Sequence, residues 1–166
     1  MHHQALQFVQ GRIAQHPARQ RVVEIGSRNI NGSVRSAFAA SVTYWGCDLV
    51  NGLGVDAVCA GQDADPPFAP DTVVCCEVLE HTPDGFDIIA RAFDLLQHGG
   101  ILLLTSAGIG RTPHSAVDGG PVRDGEYYNN IDESRLRYWL EVAGFERVLI
   151  RSNTSLSDIY AEGIKP

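Results

Sequence analysis

Val22-Val23-Glu24-Ile25-Gly26-Ser27 carries an apolar run into a carboxylate, a glycine and a small polar residue, and Asp48 closes the next apolar run, Val42 to Cys47. A ligand with a ribose and a charged tail needs this order of residues. Glycine allows a sharp turn and a close approach of backbone to ligand, the start of the next helix offers free N–H groups, and a second carboxylate accepts from both ribose hydroxyls. Glu24 and Asp48 therefore read as an acidic pair at the tips of neighbouring parallel strands, gripping a nucleoside cofactor.

Outward from this stretch, short continuous apolar runs alternate with segments of helical period. Leu6, Phe8, Val9 and Ile13 predict a leading helix within residues 1–18, ending near His16-Pro17. Strands are expected at Arg21 to Ile25, Val42 to Cys47, Val55 to Cys59, Thr72 to Cys76 and Ile101 to Leu104. Asn31-Gly32-Ser33 starts a short helix through Val34, Phe38 and Ala39, and Gln62 to Pro70 is loop or one helical turn. A helix from Asp84 or Gly85 carries Phe86, Ile89, Ala90, Phe93 and Leu96 on one face until His98-Gly99-Gly100 stops it. Strands alternating with helices give a largely parallel sheet with right-handed crossovers.

Ser106 to Asn130 has no sustained period and is rich in Gly, Pro, Asp and Tyr. A loop of that length in a compact domain is usually functional, so this segment is expected to be a substrate loop or lid. Asp132 then caps a helix with Leu136, Trp139, Leu140 and Val142, stopped at Gly144. Phe145 to Ile150 and Ser157 to Ile164 follow as consecutive strands with no helix between them, an antiparallel pair at one end of the sheet.

Composition narrows the setting. The 166 residues suit one domain spanning the whole chain. The longest apolar runs fall far below the ~20 residues of a membrane-spanning helix, and Met1-His2-His3 opens no secretory leader, so a cytoplasmic protein without membrane attachment is expected. A net charge of −7 argues against a polyanionic partner such as nucleic acid. Lys165 is the only lysine among 13 basic residues, a bias read as coding preference rather than a binding device. Cys47, Cys59, Cys75 and Cys76 end strand-like runs without metal-ligand spacing, so they read as small buried hydrophobes, and neither a metal nor a disulfide is expected.

The chain is similar to class I S-adenosylmethionine-dependent methyltransferases, in particular the small methyltransferase-11-like domains. Glu24-Ile25-Gly26-Ser27 resembles the family's first motif, Asp48 its ribose-binding acid, and Cys76-Glu77-Val78-Leu79-Glu80-His81 its strand-four exit. Leu95-Leu96-Gln97-His98-Gly99-Gly100 resembles its approach to strand five. The resemblance implies a Rossmann-like three-layer α/β sandwich with a seven-stranded, mostly parallel sheet and a C-terminal antiparallel hairpin. It also implies S-adenosylmethionine as cofactor and S-adenosylhomocysteine as product. The cofactor would lie against Glu24, Gly26, Ser27 and Arg28 after the first strand, and Asp48 and Leu49 after the second. Gln62 or Asp63 would contact adenine, and Glu77 would form a wall.

Two departures matter. The family's first motif commonly has further glycines where this chain has Arg28 and Ile30, which narrows the space beside the methionine half. Arg28 reads either as a charge-assisted partner of the ligand's carboxylate or as a solvated arginine. Asp65-Pro66-Pro67-Phe68 matches the tetrapeptide of enzymes that methylate amino groups on nucleic-acid bases, but it precedes the fourth strand instead of leaving it.

Methyl transfer requires an acceptor in line with the methyl group, exclusion of water and, where needed, loss of a proton. In the 106–130 segment His114, Asp118, Glu126, Tyr127 and Tyr128 are the concentrated candidates. His114 reads as base or as a turn-capping histidine, Tyr128 as an acceptor-stacking ring or a pin for the loop, and His81 as a packing or ligand-touching histidine. Methylation of a small molecule, most simply at a hydroxyl, leads. The alternatives are a nucleic-acid amino-methyltransferase and a non-catalytic cofactor-binding domain. A nicotinamide dehydrogenase is disfavoured, because Gly26-x-Arg28-x-x-Asn31 fails the dinucleotide fingerprint.

Overall fold

A computed structural model describes residues 3–16 and 19–166. Its strands are Arg21–Ile25 (β1), Thr43–Asp48 (β2), Ala57–Val58 (β3), Thr72–Cys76 (β4), Ile101–Ala107 (β5), Glu146–Asn153 (β6) and Asp158–Ile164 (β7). Its α-helices are His3–Ile13 (α1), Gly85–Leu95 (α2) and Glu133–Ala143 (α3). The strands form one sheet in the order β3-β2-β1-β4-β5-β7-β6. The first five pair in parallel, and β7 runs antiparallel to both β5 and β6.

Both faces of the sheet are covered, which is why its central strands read as unbroken apolar runs. Val23, Ile25, Val73, Cys75, Leu102 and Leu104 face α2 and α3. Val22, Val74, Ile101 and Leu103 face Val9 of α1 and Val34 of a 3₁₀ turn, Val34–Ala37. This is the expected three-layer sandwich with a thin second layer, tied at its edge by Arg12, which donates to both carboxylate oxygens of Glu162 at 2.6 and 2.5 Å. All four cysteines are free. Among the described residues no helix is long and apolar enough to cross a membrane.

Several elements differ from expectation for local reasons. The helix expected through Val34, Phe38 and Ala39 is only the 3₁₀ turn, with Ser33 accepting from the Arg35 amide and Phe38 already extended. The third strand is cut to two residues because the Val55 amide closes a turn onto the Gly52 carbonyl, although Cys59 N–H still reaches Asp48 O. β5 runs three residues past Leu104, since Thr105, Ser106 and Ala107 pair with Tyr160, Ile159 and Asp158 of β7. The loop expected from Ser106 therefore starts at Gly108, whose bridge to Ile131 brings the two ends of the excursion together.

The helices also shift. The buried face of α2 is Gly85, Ile88, Ile89 and Ala92, continued by Leu96, so the predicted face was turned by about one residue. Phe86 and Ala90 are half-buried. In α3, Asp132 caps as expected, accepting from Arg135 N at 2.8 Å, and Gly144 ends it in the left-handed region at φ 104°. Leu136 and Leu140 are buried, whereas Val142 is exposed. The leading helix ends at Ile13, and its expected boundary at Pro17 lies outside the described residues.

Candidate active site at the sheet's switch point

From β1 the chain moves first to β2 on one side and later to β4 on the other, so the carboxyl ends of β1 and β4 mark the point where strand order reverses. Ligands of open α/β sheets bind at that crevice. A cleft of about 1230 Å³ opens there, lined by the strand ends and by residues 110–121 of the segment expected to be a lid.

Gly26 is required twice over. Its φ is 80°, and a Cβ would fall 2.2 Å from Cγ2 of Val78. The N–H groups expected to be free beyond it are instead occupied. Those of Gly26 and Ser27 both donate to Cys47 O at 2.9 Å, Arg28 N to Asp48 Oδ2 at 3.1 Å, and Asn29 N to Leu53 O at 2.8 Å. No α-helix follows to present them: irregular chain with bends at Gly26, Ile30 and Asn31 leads to the 3₁₀ turn.

Glu24 lines the cleft, is 4% exposed and accepts a 2.7 Å hydrogen bond from the Tyr44 hydroxyl. Burial pushes its carboxyl up to about 7, more than the Tyr44 bond and the charge of Arg35 pull it down. Asp48 lines the cleft with its oxygens oriented, Oδ2 by Arg28 N and Oδ1 by Val50 N, both at 3.1 Å. Each oxygen retains a lone pair for a further donor. Leu49 is exposed at the rim.

Arg28 reaches across the mouth, where Nη2 donates to Val117 O of the lid at 3.3 Å. Gln62 lines the cleft, its amide 3.3 Å from Asp84 Oδ2, whereas Asp63 does not. Glu77 lines it too, with a left-handed φ of 56° and its Oε1 accepting from Thr105 Oγ1 at 2.8 Å. Ser27 is not brought to the site. Its side chain turns into the space beside Gly46, where a Cβ would lie 2.5 Å away. The Asp65 to Phe68 motif is not there either: Asp65 is exposed, and Phe68 packs against the core.

At the lid end His81 and His114 both line the cleft, with ring centroids 5.0 Å apart. Tyr128 sits edge-on to both, at 5.4 and 5.1 Å, behind them rather than in the cleft. Its hydroxyl is buried without a partner and is pushed up to about 12, chiefly by burial. Burial, followed by the charge of His114, holds His81 down at about 4. Asp118 and Glu126 serve the lid's own shape, Asp118 pairing with Arg123 at 2.5 Å and Glu126 accepting from Ser115 Oγ at 2.7 Å. Tyr127 is 40% exposed and does not line the cleft.

Glu80 escaped the sequence reading. It is fully buried and accepts from Ser106 Oγ at 2.8 Å and Ala107 N at 3.1 Å, while its carbonyl takes the Asn129 amide. The available signal was a carboxylate directly before His81 at a strand exit.

No family model matches the sequence. The chain is 37% identical over 93 residues to the ubiquinone biosynthesis O-methyltransferase of Xanthomonas euvesicatoria, a match covering 50% of this chain and 38% of that protein. It is 32% identical over 111 residues to the enzyme of that name from Saccharophagus degradans, covering 59% and 46%. The matches thus span less than half the length of these relatives. Among solved structures, the N-terminal domain of EvdMO1 with S-adenosylhomocysteine bound superposes with a TM-score of 0.73 at 15% identity, over 100% of this chain and 83% of that one. Burkholderia thailandensis 1,6-didemethyltoxoflavin-N1-methyltransferase, with S-adenosylhomocysteine and its substrate bound, gives 0.69 at 15% identity over 97% and 78%. Strand order, terminal hairpin and these likenesses establish the class I S-adenosylmethionine-dependent methyltransferase fold for this chain.

Proposed function

We propose that this chain moves the methyl group of S-adenosylmethionine onto a small-molecule acceptor, at a hydroxyl oxygen. The observation that supports it most is the pair of carboxylates at the tips of adjacent strands, Glu24 and Asp48, facing one cleft at the switch point. In this reading Asp48, oriented by two backbone amides, accepts from the ribose hydroxyls, and Glu24 and Glu77 wall the sugar and methionine end. Gln62 and Leu49 border the adenine, and Arg28 exchanges its lid carbonyl for the ligand's carboxylate.

The acceptor enters between His114 and the cofactor. Its oxygen attacks the methyl carbon from the side opposite sulfur, the carbon–sulfur bond breaks with both electrons going to sulfur, and the hydroxyl proton is lost. His114, at the lid end of the cleft, serves that loss. Tyr128 is a positioning residue acting through the two imidazoles. A small acceptor fits the net charge of −7 and the displaced Asp65 to Phe68 motif better than a nucleic acid does.

The test is transfer of radiolabelled methyl from S-adenosylmethionine to pooled metabolites and, separately, to nucleic acid. Label in the metabolite pool, at a position cleaved as a methyl ether, is expected. Label only in nucleic acid, or cofactor binding with no transfer to either pool, overturns this reading.

A further inference from the structure

We propose that Glu80, His81 and His114 form a site for one divalent transition-metal ion at the lid end of the cleft, which holds acceptors that present two neighbouring oxygens. The acceptor part rests on the methyl-transfer reading; the ion site does not. One ligand atom from each residue lies within 4.8 Å of the others. Bonds of about 2.1 Å to a common ion place ligand atoms roughly 3 to 4 Å apart, so small side-chain rotations close the set.

Each donor is prepared for that task. Nδ1 of His81 is buried with no hydrogen-bond partner, a costly state for a ring nitrogen unless something binds it. His114 places Nδ1 3.2 Å from Thr112 O, so Nδ1–H donates there and Nε2 is left with its lone pair. Glu80 is fixed by Ser106 Oγ and the Ala107 amide, one on each oxygen, and each oxygen keeps a lone pair. The Tyr128 ring, edge-on to both imidazoles, walls the site from behind.

Two imidazoles and one carboxylate suit first-row transition ions better than Mg²⁺, which favours an all-oxygen shell. Three protein ligands leave positions open on the ion, and His81 and His114 turn those positions toward the cleft. An acceptor with adjacent oxygens can occupy two of them. The ion then lowers the pKa of the bound hydroxyl, whose proton leaves to solvent while the oxygen keeps its electron pair. That oxygen attacks the methyl carbon as the carbon–sulfur electrons pass to sulfur. His114 thus acts through the ion instead of taking the proton.

Metal-free protein titrated with Co²⁺, without cofactor, tests the site. One ion per chain is expected, with visible absorption bands from nitrogen ligands. His81→Ala and His114→Ala should each weaken binding about 10-fold or more. His114 stands on the lid, so its replacement spares the core, and thermal melting checks that both variants fold. No Co²⁺ binding, or undiminished binding in both folded variants, overturns the site. Calorimetry with S-adenosylmethionine in a chelator tests the cofactor reading separately: binding there with no Co²⁺ site sinks only the ion, and the reverse sinks only the cofactor.

Discussion

Glu24 occupies an unusual position for a carboxylate, almost wholly buried and held by one phenol. Its folded carboxyl sits at about 7 against an ordinary 4.5, with burial the leading cause. Raising the folded value makes the native state the better proton binder between those two pH values. Glu24 therefore costs stability as pH rises through that window, and the loss levels off above it. The shift corresponds to roughly 3 kcal/mol. His81, held down at about 4, acts oppositely, costing stability as pH falls below the ordinary histidine range. The two are separable by difference: Glu24→Gln should be less destabilised, relative to the parent, at pH 7 than at pH 4.5, read by urea unfolding at each pH. A difference that does not change with pH would show that the carboxyl is not raised.

Among elements, the segment between Gly108 and Ile131, proposed as the lid, has the least regular structure and lines the cleft over residues 110–121. Its ends are tied by backbone pairing, Arg111 bonds to Asp158 at 3.1 Å, and Ser115 accepts the Gly119 amide through its carbonyl. Its far side is tied to the cleft floor through Arg28 on Val117 O. Arg28→Ala removes that clasp, so hydrogen exchange at residues 115–120 should quicken several-fold while the amides of β4 keep their protection. Unchanged exchange in the lid would show that the clasp carries no closing energy. The elements themselves were largely legible, because buried parallel strands announce themselves as unbroken runs such as Thr72 to Cys76 and Ile101 to Leu104. The exceptions have local causes. Thr105 and Ser106 look like loop residues, yet both are buried in β5, where β7 satisfies their backbone and Glu77 and Glu80 take their hydroxyls.

On the scale of the molecule, the parallel character of the sheet and its closing antiparallel pair were readable, and the occupancy of the site was not. Alternation of strands and helices followed by a helix-free hairpin implies that mixed sheet, whereas the order of its strands comes from the packing of distant segments. Which way a side chain turns at a strand end depends on neighbours far off in sequence: Ser27 is drawn into the hollow at Gly46, and Gln62 rather than Asp63 faces the cleft because the 3₁₀ turn at Gly61–Asp63 fixes their phase. The Glu80, His81 and His114 cluster was likewise hidden, since 32 residues of chain lie between its histidines and only the fold of the 108–131 segment unites them.

Titration calorimetry of S-adenosylhomocysteine into the parent and into Asp48→Ala reads whether the carboxylate at the β2 tip holds the cofactor's ribose beside the wall formed by Glu24. One site is expected in the parent and a loss of about 1 to 3 kcal/mol in the variant, as charge-assisted hydrogen bonds to the ribose disappear. No heat with the parent, or equal affinity in a folded Asp48→Ala protein, would contradict it.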